Sequence, residues 1–245
     1  MSITETASGK PTVVLVHGAF AESSSWNGVI SGLLAEGYPA IAVATPLRGV
    51  TFDSEYLRAL LVDVEGDIVL VGHSYGGTVV SGGGTDNPNV KALVFAGAFA
   101  PEEGETPGDL ASRLPGSSLG ETLTKVEQPD GGNDLYIMQS RYHAQFAADS
   151  SVDVANVMAV TQRPILESAF GEKSGKPAWK TIPSWFLFGS KDLNIPVAMH
   201  RFMAERAGSR KTVELPEGSH TVAIPEAAKL VDLIREAADA TCGRN

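Results

Sequence analysis

Cysteine is almost missing from this chain: Cys242 is the only one in 245 residues. A single thiol near the end of the sequence excludes an internal disulfide framework and any cysteine-based metal site. Basic residues are also few. Nineteen Lys and Arg face 29 Asp and Glu, a formal net charge of −10. No basic run interrupts that balance, so a phosphate backbone would meet a repelling surface, and no nucleic-acid partner is expected. No apolar stretch approaches the ~20 residues that span a bilayer, so no membrane partner is expected. The opening residues, MSITETASGKP, are polar without an apolar centre and do not read as a secretory signal. A cytoplasmic location is the expectation. HExxH and paired-histidine spacings are missing too, and no lysine follows the glycines as in a phosphate loop. The glycines of SGGGTD lack the spacing of a dinucleotide fingerprint. No metal and no cofactor are therefore expected.

What is present is an ordinary globular composition, 43% hydrophobic and 20% charged, and enough length for one large domain carrying an insertion. Short apolar runs alternate with helical spacings. TVVLVHG (12–18), PAIAVATP (39–46), DIVLVG (67–72), VKALVFAGAF (90–99), SWFLFGS (184–190) and KTVELP (211–216) read as strands, the first with the apolar run of a strand buried on both faces. Between them, residues 26–38, 55–66, 75–85, 197–207 and 225–240 have helical spacing. That alternation predicts a parallel sheet with helices on both faces, with ligands at the carboxyl ends of its strands. From Pro101 to Ile182 the strand pattern lapses into a Gly/Pro-rich stretch and two helical segments. Residues 101–182 are expected to form a small helical cap inserted into a core of 1–100 and 183–245.

Gly72-x-Ser74-x-Gly76 has the form of a nucleophile elbow, and so has Gly116-x-Ser118-x-Gly120. Only Ser74 has a strand before it and an apolar helix after it. Ser118 reads as a loop residue. A serine needs a base, and the base needs an acid to orient it. His220, in a loop after the last strand, is the candidate base. His73 adjoins Ser74 but points elsewhere at a sharp turn, His143 lies in the insertion, and His200 reads as a surface or satisfied core residue of a helix. Asp192, just beyond the strand SWFLFGS, is the candidate acid, with Glu102 and Glu103 as alternatives. Two backbone N–H groups are needed for an oxyanion. Tyr75 supplies one and the HGAF loop the other, from Ala19 or its neighbour Phe20. Phe20, Phe99, Met138, Tyr142 and Phe146 are candidate substrate-binding walls; the last three are spaced by four, as on one helical face.

With VLVHGAF, VGHSYGG, FGSKDLNIP and GSH in this order, nearly the whole chain resembles the α/β-hydrolase superfamily. The resemblance implies a six-stranded order 2-1-3-4-5-6 and the catalytic roles of Ser74, Asp192 and His220. RYHAQFAAD and PAWKTIPSWFLFG are similar to a bacterial group of small hydrolases, and VHGAF…W to the plant methylesterase and hydroxynitrile lyase group. The lyases of that group carry Thr where Gly18 stands and Lys after the catalytic His, where this chain has Thr221. Esterase chemistry is therefore implied. Ser74 also departs from the Asp nucleophile of epoxide hydrolases and haloalkane dehalogenases. The expectation is a serine hydrolase of a small, largely apolar carboxylic ester, acting as a monomer or homodimer. The alternatives are lactone hydrolysis, metal-free perhydrolase chemistry, or a receptor-like protein with slow turnover.

Overall fold

The computed structural model describes residues 9–129 and 131–243. The polar stretch 1–8, which carries most of the reading against a secretory signal, lies outside them. In chain order the elements are β1 (Thr12–Val16), α1 (Asn27–Ala35), β2 (Ala40–Val43), α2 (Val50–Val62), β3 (Ile68–His73), α3 (Tyr75–Gly83) and β4 (Val90–Ala96). Then come α4 (Pro107–Arg113), β5 (Leu123–Glu127), β6 (Asn133–Ile137), α5 (Gln139–Phe146), α6 (Val152–Thr161) and β7 (Ile165–Leu166). The chain closes with β8 (Ser184–Gly189), α7 (Val197–Arg206), β9 (Lys211–Leu215) and α8 (Ala227–Thr241).

Six strands form one parallel sheet in the order β2-β1-β3-β4-β8-β9. This is the order that the resemblance implies. Successive residues of β1 face opposite sides, so its unbroken apolar run serves two cores. Val13 and Leu15 pack with Trp26, Leu33, Leu230 and Ile234 of the α1/α8 side. Val14 and Val16 pack with Leu57, Val79 and Met199 of the α2, α3 and α7 side. The switch in strand direction of travel, from β1 outward to β2 and then back to β3, opens a crevice at the carboxyl edge, where the segment between β4 and β8 sits.

That segment is not purely helical. Beside α4, α5 and α6 it carries a second, three-stranded antiparallel sheet, β5-β6-β7. Residues 133–137, expected to be helical, are its central strand. The reason is visible in their packing. Asp134 takes a buried position and pairs with Arg48 at 2.6 Å. Leu135 and Ile137 turn the opposite face into the core, so buried residues fall at 134, 135 and 137 rather than at every second position. No described helix is long and apolar enough to cross a membrane.

Candidate active site

Ser74 sits between β3 and α3 with φ 54° and ψ −125°, a left-handed conformation that a side chain adopts only at a cost of about 1–3 kcal/mol. The glycines around it make the turn possible. A methyl group on Gly76 would lie 2.2 Å from the Val16 carbonyl oxygen, and one on Gly18 would lie 2.5 Å from Ser74 Cβ. The elbow is therefore wedged against the carboxyl end of β1. Its backbone is held from β4 as well: Ser74 N–H donates to Gly97 O at 3.2 Å, and Ser74 O accepts from Phe99 N–H at 3.1 Å.

His220 follows β9 and Asp192 follows β8. His220 Nδ1 donates to Asp192 Oδ2 at 2.7 Å, and both side chains are buried. His220 Nε2 is buried with no hydrogen-bond partner. The His220 carbonyl accepts from His73 Nε2 at 3.0 Å, and Gly97, whose own carbonyl holds Ser74, packs directly beneath it. His220 is thereby pinned to the residue before Ser74. That bond is the role of His73, whose neutral ring is kept so by burial and by the adjacent His220, its pKa lowered to about 3. Burial alone would raise the Asp192 pKa. The charge interaction with His220, then hydrogen bonds from His200 and His220, outweigh it and hold the carboxyl well below the usual carboxylate range. Glu102 and Glu103, the alternative acids, are elsewhere engaged: the Glu102 carboxylate pairs with Lys180 at 2.6 Å, and Glu103 is exposed.

The HGAF loop is fixed residue by residue. His17 Nε2 accepts from Thr45 N–H at 3.1 Å, so the proton is on Nδ1, which donates to Gly18 O at 2.9 Å. Both nitrogens are satisfied only in the neutral ring, and burial lowers its pKa to about 4. Since the peptide is planar, fixing the Gly18 carbonyl aims the Ala19 N–H the opposite way. Phe20 is not an alternative donor. Its N–H is engaged by Arg163 O at 2.9 Å, and its carbonyl accepts from Tyr142 Oη–H at 2.6 Å. The N–H groups of Ala19 and Tyr75 have no acceptor among the described residues. The Tyr75 ring is buried, its hydroxyl donating to Asp53 of α2 at 2.8 Å.

The five wall candidates separate. Phe146 packs its ring 4.9 Å from His220 and 6.2 Å from Phe20, and lies 5.0 Å from Tyr142. Phe20 and Tyr142 also line a cavity of about 570 Å³ with Val154, Val157, Met158 and Ile224. Phe99 is instead a buried core residue whose backbone supports Ser74. Met138 is not on the face of Tyr142 and Phe146. The helix begins at Gln139, and Met138 precedes it with ψ 126°, so the spacing of four does not carry over. It borders a separate depression with Tyr136 and Val160.

Sequence reasoning passed over several contacts. His200 Nε2 donates to the same Asp192 Oδ2 at 2.9 Å. Gln145 Nε2 donates to Leu193 O at 2.9 Å, and Asn194 Nδ2 to Gln145 O at 3.1 Å, tying α5 to the loop of Asp192. Asp149 accepts from Ser219 N–H at 2.7 Å and from the Ser219 hydroxyl, beside His220. Ser118 is bound rather than loose: its hydroxyl donates to Gln145 Oε1 at 2.8 Å. None of these carried a motif, and apart from His200 with Asp192 the residues they join are far apart in sequence.

Comparison with known proteins adds an independent finding. Residues 13–233 match the family model described as Alpha/beta hydrolase family. Methylesterase 3 of Arabidopsis thaliana is 24% identical, over 94% of this chain and 97% of its own. A pyrethroid hydrolase of Sphingobium wenxiniae is 27% identical, over 93% of this chain and 88% of its own. Among solved structures, polyneuridine aldehyde esterase superposes with a TM-score of 0.78 at 18% identity, covering 93% of this chain and 98% of that one.

Proposed function

From the premise that this chain belongs to the alpha/beta hydrolase family and is a carboxylic ester hydrolase, we propose that Ser74, His220 and Asp192 are its catalytic triad. The observation that carries the proposal is the order of contacts. A serine held at positive φ follows His73, whose ring is bonded to the backbone carbonyl of His220, whose own Nδ1 is committed to a buried carboxylate. The Nε2 of His220 is buried and unpartnered. An unpaired buried nitrogen is unfavourable in a resting fold by about 1–3 kcal/mol, and a base awaiting a proton accounts for it.

In this reading Ser74 Oγ attacks the ester carbonyl while its proton passes to His220 Nε2. The positive ring is stabilised through Nδ1–H by Asp192, which stays ionised. The oxyanion is received by the N–H groups of Ala19 and Tyr75, both without another acceptor and both rigidly carried, one by His17 and one by the elbow. Collapse of the intermediate returns the proton to the leaving alcohol. Water then cleaves the acyl-enzyme through the same base. Phe20, Tyr142 and Phe146 are the proposed substrate walls, Phe146 packing against His220 while Phe20 and Tyr142 reach the cavity, and residues 101–182 act as a cap over the site. The cavity's surface is largely apolar, although Glu22, Asp153, Thr161 and Gln162 are among its residues, and it supports an ester with an apolar group of modest size.

Hydrolysis of a p-nitrophenyl ester series tests both levels. The expected result is turnover rising from acetate to medium acyl chains, with kcat in Ser74→Ala lower by on the order of 10⁶. Turnover that persists in Ser74→Ala contradicts the triad. A profile falling steadily from acetate contradicts the apolar site.

A further inference from the structure

Asp192 is shared. Its Oδ1 accepts from the backbone N–H groups of Asn194 and Ile195, at 2.7 and 2.9 Å. Its Oδ2 accepts from two imidazoles, His220 Nδ1 at 2.7 Å and His200 Nε2 at 2.9 Å. Acting as a surface residue or as apolar filling does not explain His200. It is wholly buried in the early part of α7, and its ring lies flat on Phe188 of β8, with centroids 4.8 Å apart and planes 7° from parallel. Its Nδ1 is buried without a partner. To bond the Asp192 carboxylate, His200 must carry a proton on Nε2.

We propose that His200 is a positioning residue of the esterase reaction, holding Asp192 Oδ2 where His220 Nδ1 meets it. This rests on the triad reading above. The backbone bonds to Oδ1 fix one oxygen, but a carboxylate still rocks about its Cβ–Cγ bond. A second donor on Oδ2, itself clamped by Phe188, removes that freedom. It also keeps Oδ2 from being buried unpaired whenever the His220 ring shifts between its proton-accepting and proton-donating roles.

Two variants of matching length separate donor from bulk: His200→Gln keeps an N–H near the Nε2 position, and His200→Met does not. Active sites are counted by fluorophosphonate titration, so that kcat refers to folded enzyme. The expected result for His200→Met is a kcat lower by roughly 10- to 100-fold, the worth on rate of a hydrogen bond to a charged group, with KM within about twofold. His200→Gln should recover most of it. Equal kcat in the Met variant and wild type overturns the proposal, as does a Gln variant no better than Met. If Ser74→Ala remained active, the triad reading itself would have failed, a distinct outcome. Should the Met variant not fold, ¹⁵N-histidine spectra of the wild type decide. A proton on His200 Nε2 supports the proposal, and a ring protonated at Nδ1 alone overturns it.

Discussion

Single atoms decide whether the elbow can exist. The two G-x-S-x-G stretches look alike as letters, yet their glycines differ in what surrounds them. At Gly76 an added Cβ would stand 2.2 Å from a backbone oxygen of β1, a distance no real contact tolerates; at Gly120 nothing lies within 4 Å. Gly76→Ala is therefore expected to abolish esterase activity and to lower the melting temperature by several degrees. Gly120→Ala should leave both unchanged, within about 0.5 kcal/mol. Thermal melts and initial rates on the two purified variants check this. The elbow was legible because its demand for glycine is local. His200 was not. Its partner is only eight residues away, but the turn through Asn194, Ile195 and Pro196 that folds the helix back onto the carboxylate has no signature of its own.

Between elements, the segment joining β4 to β8 is stitched to each loop that carries a candidate catalytic group. Tyr142 and the Arg163 carbonyl hold Phe20, Gln145 holds the loop of Asp192, and Asp149 holds Ser219 next to His220. Asp149→Ala removes a carboxylate that accepts two hydrogen bonds. The expected loss is about 1.5–3 kcal/mol of stability in urea unfolding, with a lower kcat as the His220 loop loosens. An unchanged unfolding midpoint would count against the tie. The four central strands could be read because burial on both faces writes itself as unbroken apolar runs, while the edge strands β2 and β9 are only partly buried. The small sheet could not. β5 is largely exposed, β6 buries Asp134 on the face opposite Leu135 and Ile137, and β7 has two residues. The start of α2 was placed five residues late for a related reason. The N–H groups of Val50 and Thr51 are capped by Glu172, at 2.7 and 3.0 Å, a partner more than a hundred residues away.

For the molecule as a whole, burial of neutral histidines makes stability depend on pH. His17 and His73 have folded pKa values lowered to about 4 and about 3, chiefly by burial. An unfolded chain takes up those protons near pH 6.5 and the folded chain refuses them. Stability is thus complete above about pH 6.5 and is lost as pH falls, by about 1.4 kcal/mol per unit for each ring until its folded pKa is reached. Urea midpoints at pH 7.5, 6 and 5 should decline in that order; a flat series would mean that the rings take up protons in the fold. The same burial that makes the fold sensitive to acid keeps both rings as fixed hydrogen-bond donors around the site. The central claim, that Ser74 is the acylated nucleophile, is most directly tested by labelling the native protein with a fluorophosphonate and mapping the adduct by peptide mass spectrometry. The account predicts one adduct per chain, on the peptide containing Ser74, and none in His220→Ala. An adduct on Ser118, or ester turnover by a protein whose Ser74 stays unlabelled, would contradict it.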